Sequence, residues 1–212
     1  MEVLPDPDLR PDRPRIFGIG LNKTGTTSFD RATAILGFRS LHDGGTDVHD
    51  AVKCAIDDGA PLLSNLDPRF DVFSDIGLLT RRFRMLDAQY PGSRFVLTTR
   101  PMDKWIDSRR RHVERNIALQ AAGEYHRTFL VIDEEKWTVE WEQHVQRVHA
   151  YFDRRANFLE IDLTANPEWG SLCRFLGLGE PKEPFPWVNR DKAPHATDQK
   201  ETLAAFRVGL EP

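Results

Sequence analysis

The stretch Arg15–Leu36, RIFGIGLNKTGTTSFDRATAIL, decides how the rest of the chain is interpreted. Its apolar start, Ile16 to Ile19, predicts a short strand, and residues 20–27 after it are rich in glycine and threonine. A helix is predicted to begin at Ser28 and to end at Gly37, which has the position of a helix-terminating glycine. The stretch therefore predicts a strand, a tight loop and a helix in succession.

This loop carries the groups that bind an anion. The free amides of a helix N-terminus and the positive end of its dipole favour a phosphate-like ligand. Lys23 adds a positive charge, Gly25 allows close approach of the backbone, and the neighbouring hydroxyls add donors. The predicted anion-binding residues are Asn22, Lys23, Thr24, Gly25, Thr26, Thr27 and Ser28.

The order of residues separates this loop from the P-loop of nucleotide triphosphatases. In that motif the lysine directly follows the last glycine, whereas here Lys23 precedes Gly25 in the sequence KTGTTS. This order resembles the 5′-phosphosulfate-binding loop of the sulfotransferases. The resemblance implies that the sulfuryl donor is 3′-phosphoadenosine 5′-phosphosulfate (PAPS), used as a co-substrate, and that no metal is needed.

A second motif, RPMDKWIDS, begins at Arg100, where a predicted central strand from Arg94 ends. An arginine at a strand end and Ser108, about two turns into the next helix, can converge on one phosphate. The segment is similar to the sulfotransferase motif that holds the 3′-phosphate of the donor. The resemblance therefore assigns Arg100 and Ser108 to that phosphate.

The resemblance extends from Arg15 to about Asn189 and includes the ending PFPWVNR. In the family a C-terminal loop closes over the nucleotide. Asn189, Arg190 and Lys192 are therefore candidates to contact the 3′-phosphate or the adenine, and an exposed polar turn is an equally good interpretation of them.

Three residues are candidates for catalysis. Lys23 would neutralise charge on the leaving 5′-phosphate, as cations do in phosphoryl transfer. Asp75, at the end of a predicted strand in FSDIG, is the first choice for the general base that accepts the acceptor's proton. His42, in RSLHD, is the second choice, with an imidazole pKa that suits the task. A helix N-cap at Asp75 and a turn at His42 are the structural alternatives.

Strands that alternate with helices predict a three-layer α/β/α domain around a mostly parallel sheet, in agreement with the P-loop-like sulfotransferase fold that the resemblance implies. Ligands in such sheets bind beyond the carboxyl ends of the strands, where Lys23 and Arg100 would both lie. Residues 1–14 read as an extended proline-rich lead-in and residues 15–212 as a single domain.

The remaining elements follow from apolar spacing and from glycine and proline. Further strands are predicted at 38–41, 71–76 and 158–163, and further helices at 46–59, 78–90, 102–121, 137–155, 167–176 and 197–209. Thr46 or Asp47 would cap the first of these helices. Trp137, Trp141, Val145, Val148 and Phe152 would face inward from the helix at 137–155.

The composition limits the classes of partner. A net charge of −4 on 212 residues argues against nucleic acid or an acidic membrane as the main partner. The 2 cysteines, Cys54 and Cys173, are too far apart in sequence for a metal or redox motif and read as reduced thiols. No leader pattern and no membrane-spanning apolar run is found, so the expected location is the cytoplasm.

The acceptor is predicted only as a class: a small molecule, glycan or lipid with a hydroxyl or amine. The variable segments 44–68 and 121–137 are expected to build its pocket, which is either open or completed by a second subunit in a homodimer.

Two functions other than sulfuryl transfer stay open at this point. One is a P-loop nucleotide kinase or other phosphotransferase, and the other is a catalytically silent nucleotide-binding module.

Overall fold

A computed structural model describes residues 14–125, 128–165 and 167–188. Within these residues five parallel strands form one sheet with the order β2-β3-β1-β4-β5. The strands are β1 (Ile16–Gly18), β2 (Ser40–His42), β3 (Val72–Ser74), β4 (Arg94–Thr98) and β5 (Phe158–Ile161). Each strand was predicted near its observed position, and the prediction of a mostly parallel sheet is confirmed because every pairing is parallel.

The strands alternate between two buried faces, as the period of two along a strand requires. On β1, Phe17 packs in one cluster with Phe95 of β4. Its neighbour Ile16 packs on the opposite face with Val96 of β4 and with Phe29. Burial on both faces makes the sheet the middle layer of the predicted three-layer fold.

Helices cover both faces of the sheet. They are α1 (Thr26–Ile35), α2 (Gly45–Asp57), α3 (Gly77–Thr80), α4 (Phe83–Gln89), α5 (Met102–Ala121), α6 (Glu134–Phe152) and α7 (Trp169–Leu176). Residues of α1 and α7 pack against one face, and residues of α2, α3, α4 and α6 pack against the other. Helix α5 packs on α6 beside the loop that follows β1.

The prediction of one helix over residues 78–90 is wrong, because the chain forms the two short helices α3 and α4. Arg82 leaves the helical conformation with φ −109° and ψ 27°. The guanidinium of Arg81 donates to the carbonyl of Gly77 (3.3 Å), and that of Arg82 donates to the carbonyl of Leu78 (3.1 Å). The carbonyl of Leu78 is thus satisfied by a side chain, because the Arg82 amide donates to Leu79 instead (2.8 Å). The carbonyl of Gly77 also accepts a hydrogen bond from the Arg81 amide (3.4 Å).

The start of α2 also differs from the prediction. Thr46 or Asp47 was expected to cap the helix, whereas the N-cap position is Gly44, with φ 70°. This left-handed conformation turns the chain directly into the helix, which therefore begins at Gly45.

The inward face of α6 is partly mispredicted. Trp137, Val148 and Phe152 are buried as expected, whereas Trp141 and Val145 are only half-buried. The buried position between them belongs to His144, which is 1% exposed. The spacing of apolar residues could not identify His144 as a buried position, because its side chain is polar and is buried through a hydrogen bond to a backbone carbonyl.

In the described part of the chain, no helix is long and apolar enough to cross a membrane. Residues 1–13 of the predicted lead-in and the predicted helix at 197–209 lie outside the described residues. The single domain over 15–212 therefore stays a prediction.

Candidate functional site

The loop between β1 and α1 gives α1 an open N-terminus. Gly25 is the N-cap residue, with φ 93°, and no side chain caps the helix. The first turn of α1 also contains no acidic residue. Lys23, two positions earlier, is itself left-handed, with φ 70°. The amides that begin α1 are therefore available to an anion next to a lysine.

The carbonyls of this loop are held by side-chain donors from α5, from α6 and from the connection between β4 and α5. Nε2 of His144 on α6 donates to the carbonyl of Ile19 (2.7 Å). The indole N–H of Trp105 on α5 donates to the carbonyl of Asn22 (2.7 Å), and Nη1 of Arg100 donates to that of Lys23 (3.0 Å). These three hydrogen bonds tie the loop to α5, to α6 and to the chain that follows β4.

Close backbone contact at Gly20 fixes the loop against β4. A Cβ atom at Gly20 would lie 2.0 Å from Oγ1 of Thr98 and 2.4 Å from its carbonyl oxygen, so only glycine fits. The Thr24 hydroxyl is 2.8 Å from that of Thr98 and donates to the carbonyl of Leu21 (2.6 Å). Of the predicted anion-binding hydroxyls, that of Thr24 is thus buried and engaged within the protein.

The hydroxyls at the start of α1 connect the loop to neighbouring elements. The Thr26 hydroxyl donates to Oδ2 of Asp75 (3.3 Å), and the Thr27 hydroxyl lies 3.4 Å from Nε2 of His42. The Ser28 hydroxyl accepts a hydrogen bond from the Val188 amide (3.1 Å). Since it accepts there, its own proton stays available for a phosphate oxygen.

Asp75 and His42 form one polar cluster at the carboxyl ends of β3 and β2. Nε2 of His42 lies 3.8 Å from Oδ2 of Asp75, and Nδ1 of His42 lies 3.0 Å from the hydroxyl of Ser74. The two side chains are 21% and 24% exposed, so solvent reaches both. Asp75 holds a left-handed backbone conformation, with φ 57°, which is uncommon outside glycine and often marks a functional residue.

Burial shifts the pKa values of both predicted catalytic groups. It raises the pKa of the Asp75 carboxyl above its ordinary value, although the nearby charges of His42 and Lys23 act in the opposite direction. Burial lowers the pKa of Lys23, with Asp75 opposing this effect and the charge of Arg115 adding to it. A carboxylate with a raised pKa beside a desolvated lysine is typical of active sites.

The second motif lies beside the loop. Arg100 follows β4, and its Nε atom is buried with no hydrogen-bond partner among the described residues. Ser108 is half-buried on α5, and within the described contacts its hydroxyl makes no hydrogen bond. Burial lowers the pKa of Arg100 and the charge of Asp162 raises it. Arg111 of α5 lowers it further, whereas two carboxylates of the same helix, Asp103 and Asp107, raise it. Helix α5 therefore brings charges of both signs to Arg100.

The structure brings most of the predicted site residues to one edge of the sheet. The anion loop, Arg100, His42 and Asp75 are linked there by the contacts described above, and Ser108 lies on the adjoining helix. Arg190, with Asn189 and Lys192, lies outside the described residues.

The sequence analysis did not predict the hydrogen bonds by which Trp105 and His144 hold the carbonyls of the loop, because no pattern within one segment indicates them. It could have found Arg111 and Arg115, since both follow Ser108 at helical spacing.

Comparison of the chain with known protein families gives one match. The family described as a sulfotransferase domain matches residues 15–128 and 118–193, which include every element of the edge described here. A comparison with curated proteins gave no match.

Proposed function

Because the chain belongs to the sulfotransferase domain family, we propose that it is an enzyme that transfers a sulfuryl group from PAPS to an acceptor hydroxyl or amine. The family supports the reaction class. The donor and the roles of individual residues are inferences from the geometry at the sheet edge.

The residues of the anion loop and of the second motif fit the two phosphate groups of this donor. The uncapped N-terminus of α1 and Lys23 would hold the 5′-phosphosulfate. The buried Nε of Arg100 has no partner among the described residues, which suits an arginine that awaits an anion. Arg100 and Ser108 would hold the 3′-phosphate.

The chemistry is an in-line displacement at sulfur. The acceptor oxygen or nitrogen forms a bond to sulfur while the bond between sulfur and the 5′-phosphate oxygen breaks. The electron pair of that bond stays on the leaving 3′-phosphoadenosine 5′-phosphate. Lys23 stabilises the negative charge that develops on the leaving oxygen, and the amides of α1 hold the phosphate in line.

Asp75 is proposed as the base that takes the acceptor's proton. Burial raises the pKa of its carboxyl towards the range in which a general base works best. The Thr26 hydroxyl orients the carboxylate through its 3.3 Å hydrogen bond. His42, 3.8 Å from the same carboxylate, favours its charged form and acts as a positioning residue.

One observation carries this proposal: the 3.0 Å hydrogen bond from Arg100 to the carbonyl of Lys23 joins the two predicted phosphate sites.

The test is calorimetric titration of the protein with 3′-phosphoadenosine 5′-phosphate, with AMP and with ATP plus Mg²⁺. We expect the bisphosphate to bind at least tenfold more tightly than AMP. Lys23→Met should weaken its binding about tenfold to a hundredfold, since one charged contact is lost.

Lys53→Met is the matched control, because Lys53 is an exposed lysine on α2 that pairs with Asp57. It should leave the affinity for the bisphosphate unchanged. Binding of ATP with Mg²⁺ in place of the bisphosphate would favour a phosphotransferase. No binding of any of the three nucleotides would refute the proposed donor site.

A further inference from the structure

A cavity of about 560 Å³ lies between α5, α6 and the segment 128–133, and is called the α5–α6 cavity below. Its volume lies in the range of small-molecule sites. The charged side chains of its wall are four cations and two acids: Arg81, Arg109, Lys136, Arg147, Asp133 and Glu140. The wall thus has two more positive than negative groups, although the whole chain has a net charge of −4.

The α5–α6 cavity is separate from the candidate site at the sheet edge. Among the described residues, none that lines the cavity belongs to the anion loop or to the cluster of Asp75 and His42. Trp137 forms part of the cavity wall and packs in a buried cluster with Leu21 and Trp105. Since this buried layer stands between the cavity and the anion loop, a ligand in the cavity is distinct from the donor and from the acceptor.

One carboxylate in the wall serves two arginines. Oε1 of Glu140 contacts Nη2 of Arg81, and Oε2 of Glu140 lies 2.9 Å from Nη1 of Arg109. Both oxygens of this carboxylate are therefore engaged. A third arginine of the wall, Arg147, lies about two turns further along α6.

Arg147 has no carboxylate partner within the described part of the chain. It is exposed, and its Nε donates to the carbonyl of Gln143 (3.1 Å). Burial lowers the pKa of the nearby His144 most strongly, and the charges of Arg147 and Arg81 lower it further. A backbone hydrogen bond and the charge of Glu140 oppose these effects. Both arginines therefore lie close to the same buried histidine, at one end of the cavity.

The other end of the cavity is balanced in charge. Asp133 caps α6 by accepting a hydrogen bond from the Lys136 amide (3.0 Å). The two side chains of this turn carry one negative and one positive charge. The excess of positive charge therefore lies with the three arginines around Glu140, where an anionic group is attracted most strongly.

Arg109 is the buried member of this group. It is 9% exposed, and its Nε is buried with no hydrogen-bond partner among the described residues. Three aromatic rings lie around its guanidinium, with their centres at 4.9 Å, 5.0 Å and 5.0 Å: Trp105, Phe129 and Trp137. Burial lowers the pKa of Arg109, Glu140 opposes this effect, and the like charge of Arg81 adds to it. A further anion nearby would stabilise a buried cation that shares its carboxylate.

Apolar side chains line the cavity beside these charges. Val131 is 70% exposed and Val139 is 45% exposed, and Phe129 is half-buried. Exposed apolar side chains next to a group of cations suit a ligand that has an apolar body and a charged group.

We infer that the α5–α6 cavity is a second ligand site, which binds an organic anion with an aromatic or apolar body. Arg147 binds the anionic group beside Arg81, and the body contacts Phe129, Val131 and Val139. The inference does not depend on the proposed function, because no residue of the proposed donor site takes part.

The test uses 2-naphthoate and 2-naphthamide, two probes of similar shape that differ in charge at neutral pH. Each is titrated calorimetrically into the full chain. We expect the naphthoate to bind about tenfold to a hundredfold more tightly, because the amide cannot form a charge-assisted contact with a guanidinium. Acetate, which has the charge without the aromatic body, should bind more weakly than the naphthoate. Saturating 3′-phosphoadenosine 5′-phosphate should leave the affinity for the naphthoate unchanged.

Arg147→Met should remove the preference for the naphthoate and keep the affinity for the naphthamide. The matched control is Arg174→Met, because Arg174 is an exposed arginine on α7, which packs on the opposite face of the sheet from α6. This control should keep the preference.

Any of four results would overturn the inference: binding of neither naphthalene probe, equal affinity for the two, naphthoate binding no tighter than acetate, or a preference that survives Arg147→Met or is lost in Arg174→Met. Loss of naphthoate binding in the presence of the bisphosphate would also overturn it, since the probe would then occupy the donor site. Titration with the bisphosphate alone reports on the proposed function. The two ideas can therefore fail independently.

Discussion

Nη1 of Arg100 donates to the main-chain carbonyl of Lys23 across 3.0 Å, although 77 positions separate the two residues. This bond fixes the spacing between the predicted sites for the two phosphates. Arg100 thus holds the backbone of the anion loop. Its buried Nε has no hydrogen-bond partner among the described residues, in keeping with the role proposed for it at the 3′-phosphate.

Arg100→Lys should weaken binding of 3′-phosphoadenosine 5′-phosphate about tenfold to a hundredfold, because an ammonium cannot reproduce the planar fork of a guanidinium. Binding of AMP should fall less, since AMP has no 3′-phosphate. Calorimetric titration measures both affinities, and Arg154→Lys serves as control, because Arg154 is 93% exposed. An equal loss for both nucleotides would contradict the assignment of Arg100 to the 3′-phosphate.

The proposed base predicts a specific pH dependence of the reaction. Because a base must be deprotonated to act, kcat/KM should rise with pH through a pKa above the ordinary value of 3.8 for an aspartate. Asp75→Asn should reduce kcat/KM about 10²-fold to 10⁴-fold. The profile is measured with an acceptor that supports turnover. If His42→Gln had the larger effect and Asp75→Asn kept the profile, His42 would be the base.

The same carboxyl should destabilise the fold when it ionises. A folded-state pKa above 3.8 means that the native state binds more protons than the unfolded state, so stability falls as pH rises from 3.8 through the raised pKa. Asp75→Asn removes this loss and keeps a residue type that tolerates the left-handed conformation. The melting temperature of the variant relative to the native protein should therefore increase with pH over that window. A constant difference would show that the pKa is not raised.

Gly20→Ala should destabilise the protein by about 1–3 kcal/mol, since its Cβ would lie 2.0 Å from Oγ1 of Thr98. Shortening Thr98 cannot relieve this clash, because the backbone carbonyl of Thr98 is only 2.4 Å away. The matched control is Gly179→Ala, whose Cβ would meet no atom within 4 Å. Thermal unfolding followed by circular dichroism compares the two variants, and equal melting temperatures would refute the predicted clash.

His144 should make the protein less stable in mild acid. Its Nε2–H donates to the Ile19 carbonyl, its Nδ1 is buried without a described partner, and burial lowers its pKa. As pH falls through the ordinary value of 6.5, the unfolded chain takes up a proton that the native state does not, so stability falls.

His144→Gln keeps a nitrogen donor and cannot titrate, so it should reduce this acid loss. The measurement is the free energy of unfolding of both proteins by denaturant titration between pH 5 and pH 8. Parallel pH curves for the native protein and the variant would mean that His144 is not the group responsible.

The sequence predicted those parts of the fold and site that depend on short segments. The limits of α5 were predicted as observed, and Pro101, which suits the start of a helix, directly precedes it. The anion loop was found because its donors are consecutive in sequence. The family match to residues 15–128 and 118–193 agrees with the resemblance on which the donor was inferred.

The parts that sequence missed depend on contacts between distant segments. The break between α3 and α4 contains no glycine or proline, and the side chain of Arg82 takes the place of a backbone amide at the carbonyl of Leu78. The burial of His144 follows from a carbonyl 125 positions away. No spacing rule within one segment contains such information.

The central place of β1 in the sheet also has a consequence for folding kinetics. Its neighbours β3 and β4 are both later in the chain and both parallel to it, so the anion loop is fixed only after slow, non-local pairing. We expect a nucleotide that contacts both the anion loop and the end of β4 to bind the native state and not the folding transition state, in which this pairing is unfinished. It should therefore lengthen the lifetime of the native protein by slowing unfolding, without making refolding faster.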